Sequence, residues 1–140
     1  MPFPYTFPFY FYPGVSGRAS TFNVVVVGKF NNNSTFDSVA CNVTNVGVAS
    51  VNVHIKGTDA VGSVSWTLSD NATPGADIYG LKAYVGATPI IIRKTAAFNE
   101  LFHELAAGAS GSFTVRVYSP SSTSDTSTKI GTISLIVTAH

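Results

Sequence analysis

The chain has five histidine and glutamate side chains that could support metal or acid–base chemistry, and three of them lie in one short stretch. Glu100, His103 and Glu104 are spaced so that they would share one face of a helix, and imidazole and carboxylate groups together suit zinc. The stretch lacks the second histidine of an H-E-x-x-H motif, and the other histidines, His54 and His140, lie outside it. We therefore interpret the stretch as a solvated polar face and predict no metal site.

A second group of side chains could bind a cation between predicted strands. Asp59, Asp70 and Asp77 occupy loops where carboxylate and carbonyl oxygens would suit Ca²⁺. Asx turns and capping of loop N–H groups also account for aspartates in such positions, and we favour that interpretation over a calcium site.

The sequence contains no arrangement of residues that is typical of an active site. It has no G-x-S-x-G motif, no phosphate-binding glycine loop and no Cys/His dyad. The only cysteine, Cys41, alternates with Val39 and Val43 and is predicted to be a buried core residue. We predict a protein that has no catalytic residues and no cofactor, and that is not an enzyme.

Composition argues against two classes of partner. The chain has 140 residues, of which 11% are charged, and its net charge is +1. Its basic residues are scattered along the sequence, whereas binding to nucleic acid relies on clustered positive charge. The N-terminal apolar stretch is too short and too rich in proline to cross a membrane, and it lacks the features of a secretory signal peptide. We expect no nucleic-acid partner and no membrane insertion and, if Met1 is the first methionine of the gene, no export by the usual route.

The first nineteen residues form a distinct segment, which we call the N-terminal arm (residues 1–19). Packed aromatic side chains bury roughly 150–250 Å² each, so the arm would expose more apolar surface than a monomer usually does. We predict that another copy of the protein covers it; the alternative is that the arm folds back as the first strand of its own sandwich. Pro2, Pro4 and Pro8 all fall on even positions, which predicts a strand added to the border of a sheet through its odd residues. The predicted assembly residues are Phe3, Tyr5, Phe7, Phe9, Tyr10, Phe11 and Tyr12.

After the arm, the pattern is that of β-strands. Apolar and polar residues alternate in short runs that are separated by Gly, Asn, Ser and Pro, and the clearest run is Val51–Lys56. The one helical signal is the apolar spacing from Phe98 to Leu105. Trp66 alternates with Val64 and Leu68 and is predicted to be the core anchor. We predict an all-β protein whose residues 20–140 form an antiparallel, immunoglobulin-like β-sandwich of about seven or eight strands.

A resemblance supports this architecture. The segments 45–47, 55–60, 66–70, 74–79, 105–108 and 118–120, which read NVG, IKGTDA, WTLSD, PGADIY, LAAG and YSP, resemble immunoglobulin-like domains of bacterial and archaeal surface proteins and phage virion proteins. The resemblance covers residues 20–140 and excludes the arm. It implies a module of a surface layer, filament or virion, and it carries no ligand-binding residue over to this chain.

From these observations we predict a structural subunit that assembles through its arm, most simply a capsid decoration or tail component of a phage virion. Its partners would be other copies of itself and a major capsid or tail protein. The alternative is a subunit of an extracellular or cell-surface filament or layer built by strand donation. N-glycosylation sequons at Asn32, Asn33, Asn42 and Asn71 fit that alternative. The third hypothesis is a carbohydrate-binding module.

Overall fold

In the computed structural model, the described residues are 8–11, 18–26, 32–38, 40–95, 98–123, 125 and 129–140, and they form strands and turns without a helix. No segment in these ranges is a helix that could span a membrane. The strands are β1 (Pro8–Phe11), β2 (Arg18–Val26), β3 (Thr35–Asp37), β4 (Cys41–Asn45), β5 (Val51–Gly57), β6 (Thr67–Leu68), β7 (Ile78–Val85), β8 (Thr88–Ile91), β9 (Asn99–Leu105), β10 (Ser110–Tyr118) and β11 (Lys129–Ala139).

The strands form two sheets, which confirms the prediction of an all-β protein with a two-sheet architecture. The larger sheet follows the order β1-β4-β10-β7-β6, with β3 also paired to β10 and β8 also paired to β7. The smaller sheet follows the order β2-β11-β5-β9. The immunoglobulin-like connectivity stays a prediction.

The core lies between the two sheets because alternate residues of the long strands point inward. Every second residue of β5 is buried, as are alternate residues of β10 and β11. The largest fully buried apolar side chains come from both sheets, from the residue before β6 and from the residue after β8: Trp66, Tyr79, Phe113, Ile55, Leu68, Leu81, Ile92, Ile133, Leu135 and Val43. The apolar alternation visible in the sequence therefore marks the inner faces of these strands.

One charged side chain is part of this interior. Lys129 is fully buried, and its Nζ lies 2.5 Å from a carboxylate oxygen of Asp125 and 5.2 Å from the centre of the Trp66 ring. The same carboxylate accepts a hydrogen bond of 2.9 Å from the N–H of Val64. This ion pair thus ties the start of β11 to the segment that carries Trp66.

Two sequence-based details of the sandwich are wrong. It is not wholly antiparallel, because β1 pairs with β4 and β6 pairs with β7 in parallel. The described residues also form ten strands after the arm strand β1, namely β2 to β11, rather than seven or eight. Strands as short as β3 and β6, with three and two residues, show no readable alternation in sequence.

The apolar spacing from Phe98 to Leu105 belongs to strand β9 and not to a helix. In the pairing of β5 with β9, Val51, Val53 and His54 lie opposite Leu105, Phe102 and Glu100, with register shifts between these pairs. Each shift adds a residue to β9, so its inward residues recur at three or four positions instead of two. A bulged strand therefore has the same apolar spacing as a short amphipathic helix.

Part of the N-terminal arm is a strand of this molecule. Residues 8–11 form β1, which pairs in parallel with residues 42–45 of β4 at the end of the larger sheet. Strand β2 begins at Arg18, inside the arm as the sequence bounded it, and pairs with β11 in the smaller sheet. The N-terminal segment therefore contributes one strand to each sheet.

Candidate functional site

The outer face of the larger sheet carries a compact group of tyrosine and cationic side chains. Lys82 and Tyr84 lie on β7 and Arg116 and Tyr118 on β10, and we call these four residues the tyrosine platform. Strands β7 and β10 are paired with Arg116 opposite Lys82. The residues that alternate with them, Leu81, Ala83, Val115 and Val117, are buried in the core. These buried residues thus anchor the two strands that carry the platform.

Arg116 occupies a fixed position at the centre of the platform. Its Nε and Nη2 donate hydrogen bonds of 2.6 and 2.9 Å to the two carboxylate oxygens of Asp37, which lies opposite it on β3. Its guanidinium carbon lies 4.8 Å from the centre of the Tyr84 ring. A bidentate ion pair and a stacked ring together restrict a side chain that is otherwise flexible.

The second cation and the two hydroxyl groups complete the platform. The Nζ of Lys82 lies 5.3 Å from the centre of the Tyr118 ring, which is within the range of a cation–π interaction. The hydroxyl oxygens of Tyr84 and Tyr118 are 3.1 Å apart and share a hydrogen bond. Both rings therefore extend along the sheet surface toward each other, and each packs against a positive charge.

The contacts within the platform shift the pKa values of Asp37 and Tyr118. The hydrogen bond from Arg116 holds the pKa of Asp37 below its ordinary value. Removal from water and the hydrogen bond with Tyr84 raise the pKa of Tyr118. In formal charge, the platform and Asp37 together hold two cationic side chains, Lys82 and Arg116, and one carboxylate.

The polar face predicted around His103 is present, but it lies on a strand instead of a helix and includes one further residue. Glu100, His103 and Glu104 all lie exposed on β9, and His140 joins them from the end of β11. A nitrogen of His103, a carboxylate oxygen of Glu104 and a nitrogen of His140 all lie within 4.8 Å of one another. His140 could not be assigned to this group from the sequence, because it is 36 positions beyond Glu104.

The three aspartates considered for calcium do not form one site. Asp59 accepts hydrogen bonds of 2.7 Å from the N–H of Leu68 and 2.8 Å from Nζ of Lys94. Asp70 accepts bonds from the side chain of Thr95 and from the N–H groups of Lys94 and Thr95, which lower its pKa. The role of both carboxylates is to satisfy loop donors.

Asp77 also binds a loop donor, since its Oδ1 accepts a hydrogen bond of 2.7 Å from the hydroxyl of Thr123. Two other residues singled out from the sequence lie in the core, where Trp66 is 0% and Cys41 is 1% exposed. Burial raises the pKa of the Cys41 thiol, which disfavours its reactive thiolate form.

The comparisons with known proteins give a distant structural likeness. No protein-family model matches the sequence, and no curated protein matches it. A mutant of PliG from Escherichia coli, a periplasmic inhibitor of g-type lysozyme, is 9% identical with a TM-score of 0.42 over 94% of this chain and 96% of that one. PliG from Salmonella Typhimurium, also a periplasmic inhibitor of g-type lysozyme, is 8% identical with a TM-score of 0.40 over 94% of this chain and 97% of that one. We take no site residue from either structure.

The prediction of a virion subunit that assembles through its arm is wrong. Phe9, Tyr10 and Phe11 lie in β1, which pairs with β4 of the same chain. The two similar structures are of lysozyme inhibitors, and neither is a virion, filament or sugar-binding protein. The same correction applies to the predicted partners, to the virion location, and to the filament and carbohydrate-binding alternatives. Phe3, Tyr5, Phe7 and Tyr12 lie outside the described residues.

The sequence analysis did not identify the tyrosine platform, although its signal is present. Lys82 and Tyr84 stand at alternate positions around buried residues of one strand, as Arg116 and Tyr118 do in another. Each pair by itself looks like an ordinary solvent-facing strand surface. Only the pairing of β7 with β10 brings the two pairs together, and these strands are some thirty residues apart in the chain.

Proposed function

We propose that this protein is a non-catalytic binding protein that recognises a carboxylate-bearing segment of another protein through the tyrosine platform. The observation that carries the proposal is the ordered set of two tyrosines and two cations on the outer face of the larger sheet. Tyrosine and arginine are among the residue types that contribute most to binding energy at protein interfaces.

Preorganisation supports binding through this face. Ordering a flexible side chain on association costs roughly 0.5–1.5 kcal/mol, and this cost lowers the affinity of an interface. Arg116 is already held by Asp37 and Tyr84, and the tyrosine hydroxyls already contact each other. A partner would therefore meet a surface whose geometry changes little on binding.

The charge of the platform indicates the chemistry of the partner. Asp37 neutralises Arg116, whereas Lys82 packs on Tyr118 and forms no ion pair within the described ranges. One positive charge therefore remains, and an acidic group of a partner would complement it. The neighbouring tyrosine rings would cover the apolar part of the same segment.

Selection from a random-peptide library displayed on phage tests this proposal. We expect enrichment of peptides that combine Asp or Glu with apolar residues, and we expect their affinity to fall as salt is raised. Lys82→Glu and Tyr84→Ala should each weaken the selected peptides by about 30-fold, which corresponds to roughly 2 kcal/mol. Fluorescence anisotropy with labelled peptides measures this change.

The chain offers a matched control for the charge reversal. Lys56 lies on the outer face of the smaller sheet, and its Nζ is 5.6 Å from the centre of the Phe98 ring, a geometry similar to that of Lys82 on Tyr118. Lys56→Glu should leave peptide binding unchanged. Equal losses in Lys56→Glu and Lys82→Glu, or peptides that bind Tyr84→Ala as well as the wild type, would contradict the platform as the binding surface.

The proposed setting of this binding is outside the cytoplasm, at the cell surface or beyond it. All four asparagines of the glycosylation sequons, Asn32, Asn33, Asn42 and Asn71, are exposed, as modification in an exported protein requires. Fractionation of the source cells tests the location with an antibody against the folded protein. Signal in the envelope or the medium is expected, and signal confined to the cytosol would refute the location while leaving the platform untouched.

A further inference from the structure

We propose that His103, Glu104 and His140 form a zinc-binding site on the outer face of the smaller sheet. The face lies on the other sheet from the tyrosine platform, so this proposal does not depend on the binding function proposed above. Imidazole nitrogen and carboxylate oxygen are the donors found in sites where three protein ligands leave one position of zinc open. The same face holds all three histidines and both glutamates of the chain.

The bulge in β9 is what places two of the ligands side by side. In a regular strand, consecutive residues point to opposite faces of the sheet. His103 and Glu104 are nevertheless both exposed, and they lie between Phe102 and Leu105, which pair with Val53 and Val51 across a register shift. Glu104 has a φ of 54°, and its N–H donates a hydrogen bond of 2.8 Å to Oδ1 of Asn52. The backbone thus turns so that both side chains reach the same surface, as bulges do in many functional sites.

The third ligand approaches from the neighbouring end of β11. Nε2 of His140 lies 3.1 Å from a carboxylate oxygen of Glu104, and the imidazole rings of His140 and His103 are 5.2 Å apart and almost perpendicular. Ligand atoms around a tetrahedral zinc ion are about 3.4 Å apart when each is about 2.1 Å from the metal. The largest separation here is within 4.8 Å, so a small rotation of exposed side chains would close the site.

Glu100 supplies the supporting contact that metal-binding histidines commonly have. Its carboxylate oxygens lie 3.2 and 3.3 Å from Nδ1 of His103. A carboxylate at this nitrogen favours the tautomer that carries its proton on Nδ1, so that Nε2 is left as the electron-pair donor. Glu100 thus acts as a positioning residue for His103 and not as a ligand.

Titration of the full chain with ZnCl₂ tests the proposal, with any histidine affinity tag removed. Isothermal calorimetry should give saturable binding of one ion per chain. His103→Ala and His140→Ala should each abolish this saturation, while Glu100→Gln should weaken the affinity by about 10–100-fold. The thermal midpoint of the wild type should rise with zinc concentration, because the ion binds the folded state.

His54 is the matched control, because it lies on the same face and bonds Oγ1 of Thr138 at 3.2 Å but does not belong to the cluster. His54→Gln should bind zinc like the wild type, and NMR should show the ring signals of His103 and His140, not those of His54, moving with zinc. All variants should share the zinc-free melting temperature of the wild type. Weak, non-saturating binding to the wild type, or an equal loss of affinity in His54→Gln, would overturn the site.

Discussion

Asp125→Asn is expected to lower the free energy of unfolding by about 3–5 kcal/mol, because it removes the charge that balances a buried lysine. Lys129 is 0% exposed, and its Nζ lies 2.5 Å from Oδ2 of Asp125. An ammonium group in the interior is costly unless a carboxylate accompanies it. Urea unfolding followed by circular dichroism measures the change, and the slope with denaturant should stay constant.

A double-mutant cycle separates the charge from the packing around it. Asp125→Asn combined with Lys129→Met removes both charges and keeps a long apolar side chain beside Trp66, so it should recover most of the lost stability. The exposed pair of Asp37 with Arg116 provides the comparison, and Asp37→Asn should cost far less. A double variant no more stable than Asp125→Asn alone, or an Asp125→Asn protein as stable as the wild type, would contradict the role of this ion pair.

Trp66→Ala is expected to lower the free energy of unfolding by a similar amount, about 3–5 kcal/mol, through the cavity it leaves in the core. Trp66 is 0% exposed, its ring centre lies 6.2 Å from that of Tyr79, and its Nε1 donates a hydrogen bond of 3.2 Å to Thr123. The change would remove packing, a hydrogen bond and the ring over which Lys129 lies. Urea unfolding with circular dichroism again measures the effect.

The same tryptophan reports on the native core, because it is the only one in the chain. Its native emission should be shifted to short wavelength and should resist quenching by iodide, with both properties lost on unfolding. Val64 lies two residues earlier and is 39% exposed, so Val64→Ala should change stability much less. Free quenching in the native protein, or equal costs for the two substitutions, would place Trp66 outside the core.

The parts of the fold that could be predicted from the sequence are those governed by local alternation. The runs Val51–Ile55, Phe113–Val117 and Ile133–Val137 place their alternate residues in the core, because a strand turns successive side chains to opposite faces. Strand β9 was not predicted as a strand, because its two register shifts arise from its pairing with β5. Within β9 itself, the residue pattern does not distinguish a bulged strand from a helical turn.

The two candidate sites could not be predicted from the sequence for a related reason, since both are formed by contacts between strands that are distant in the chain. Arg116 meets Lys82 only through the pairing of β10 with β7, and His140 meets Glu104 only because the small sheet brings the ends of β11 and β9 together. The functional prediction based on the aromatic arm was wrong for the same reason, because the pairing of β1 with β4 could not be read from the sequence. A strand that pairs with residues more than thirty positions away cannot be told, from sequence alone, from one that pairs with another molecule.

The parallel pairing of β1 with β4 has a consequence for solubility. An uncovered strand edge presents a row of N–H and C=O groups on which another chain can grow, and this is a common route to aggregation. Residues 8–11 cover the edge of β4 with the protein's own backbone. Among the described strands, β1 then lies at the end of the sheet, and its first residue, Pro8, has no N–H to offer to a further strand. A segment rich in aromatic residues thus helps to keep the molecule from aggregating.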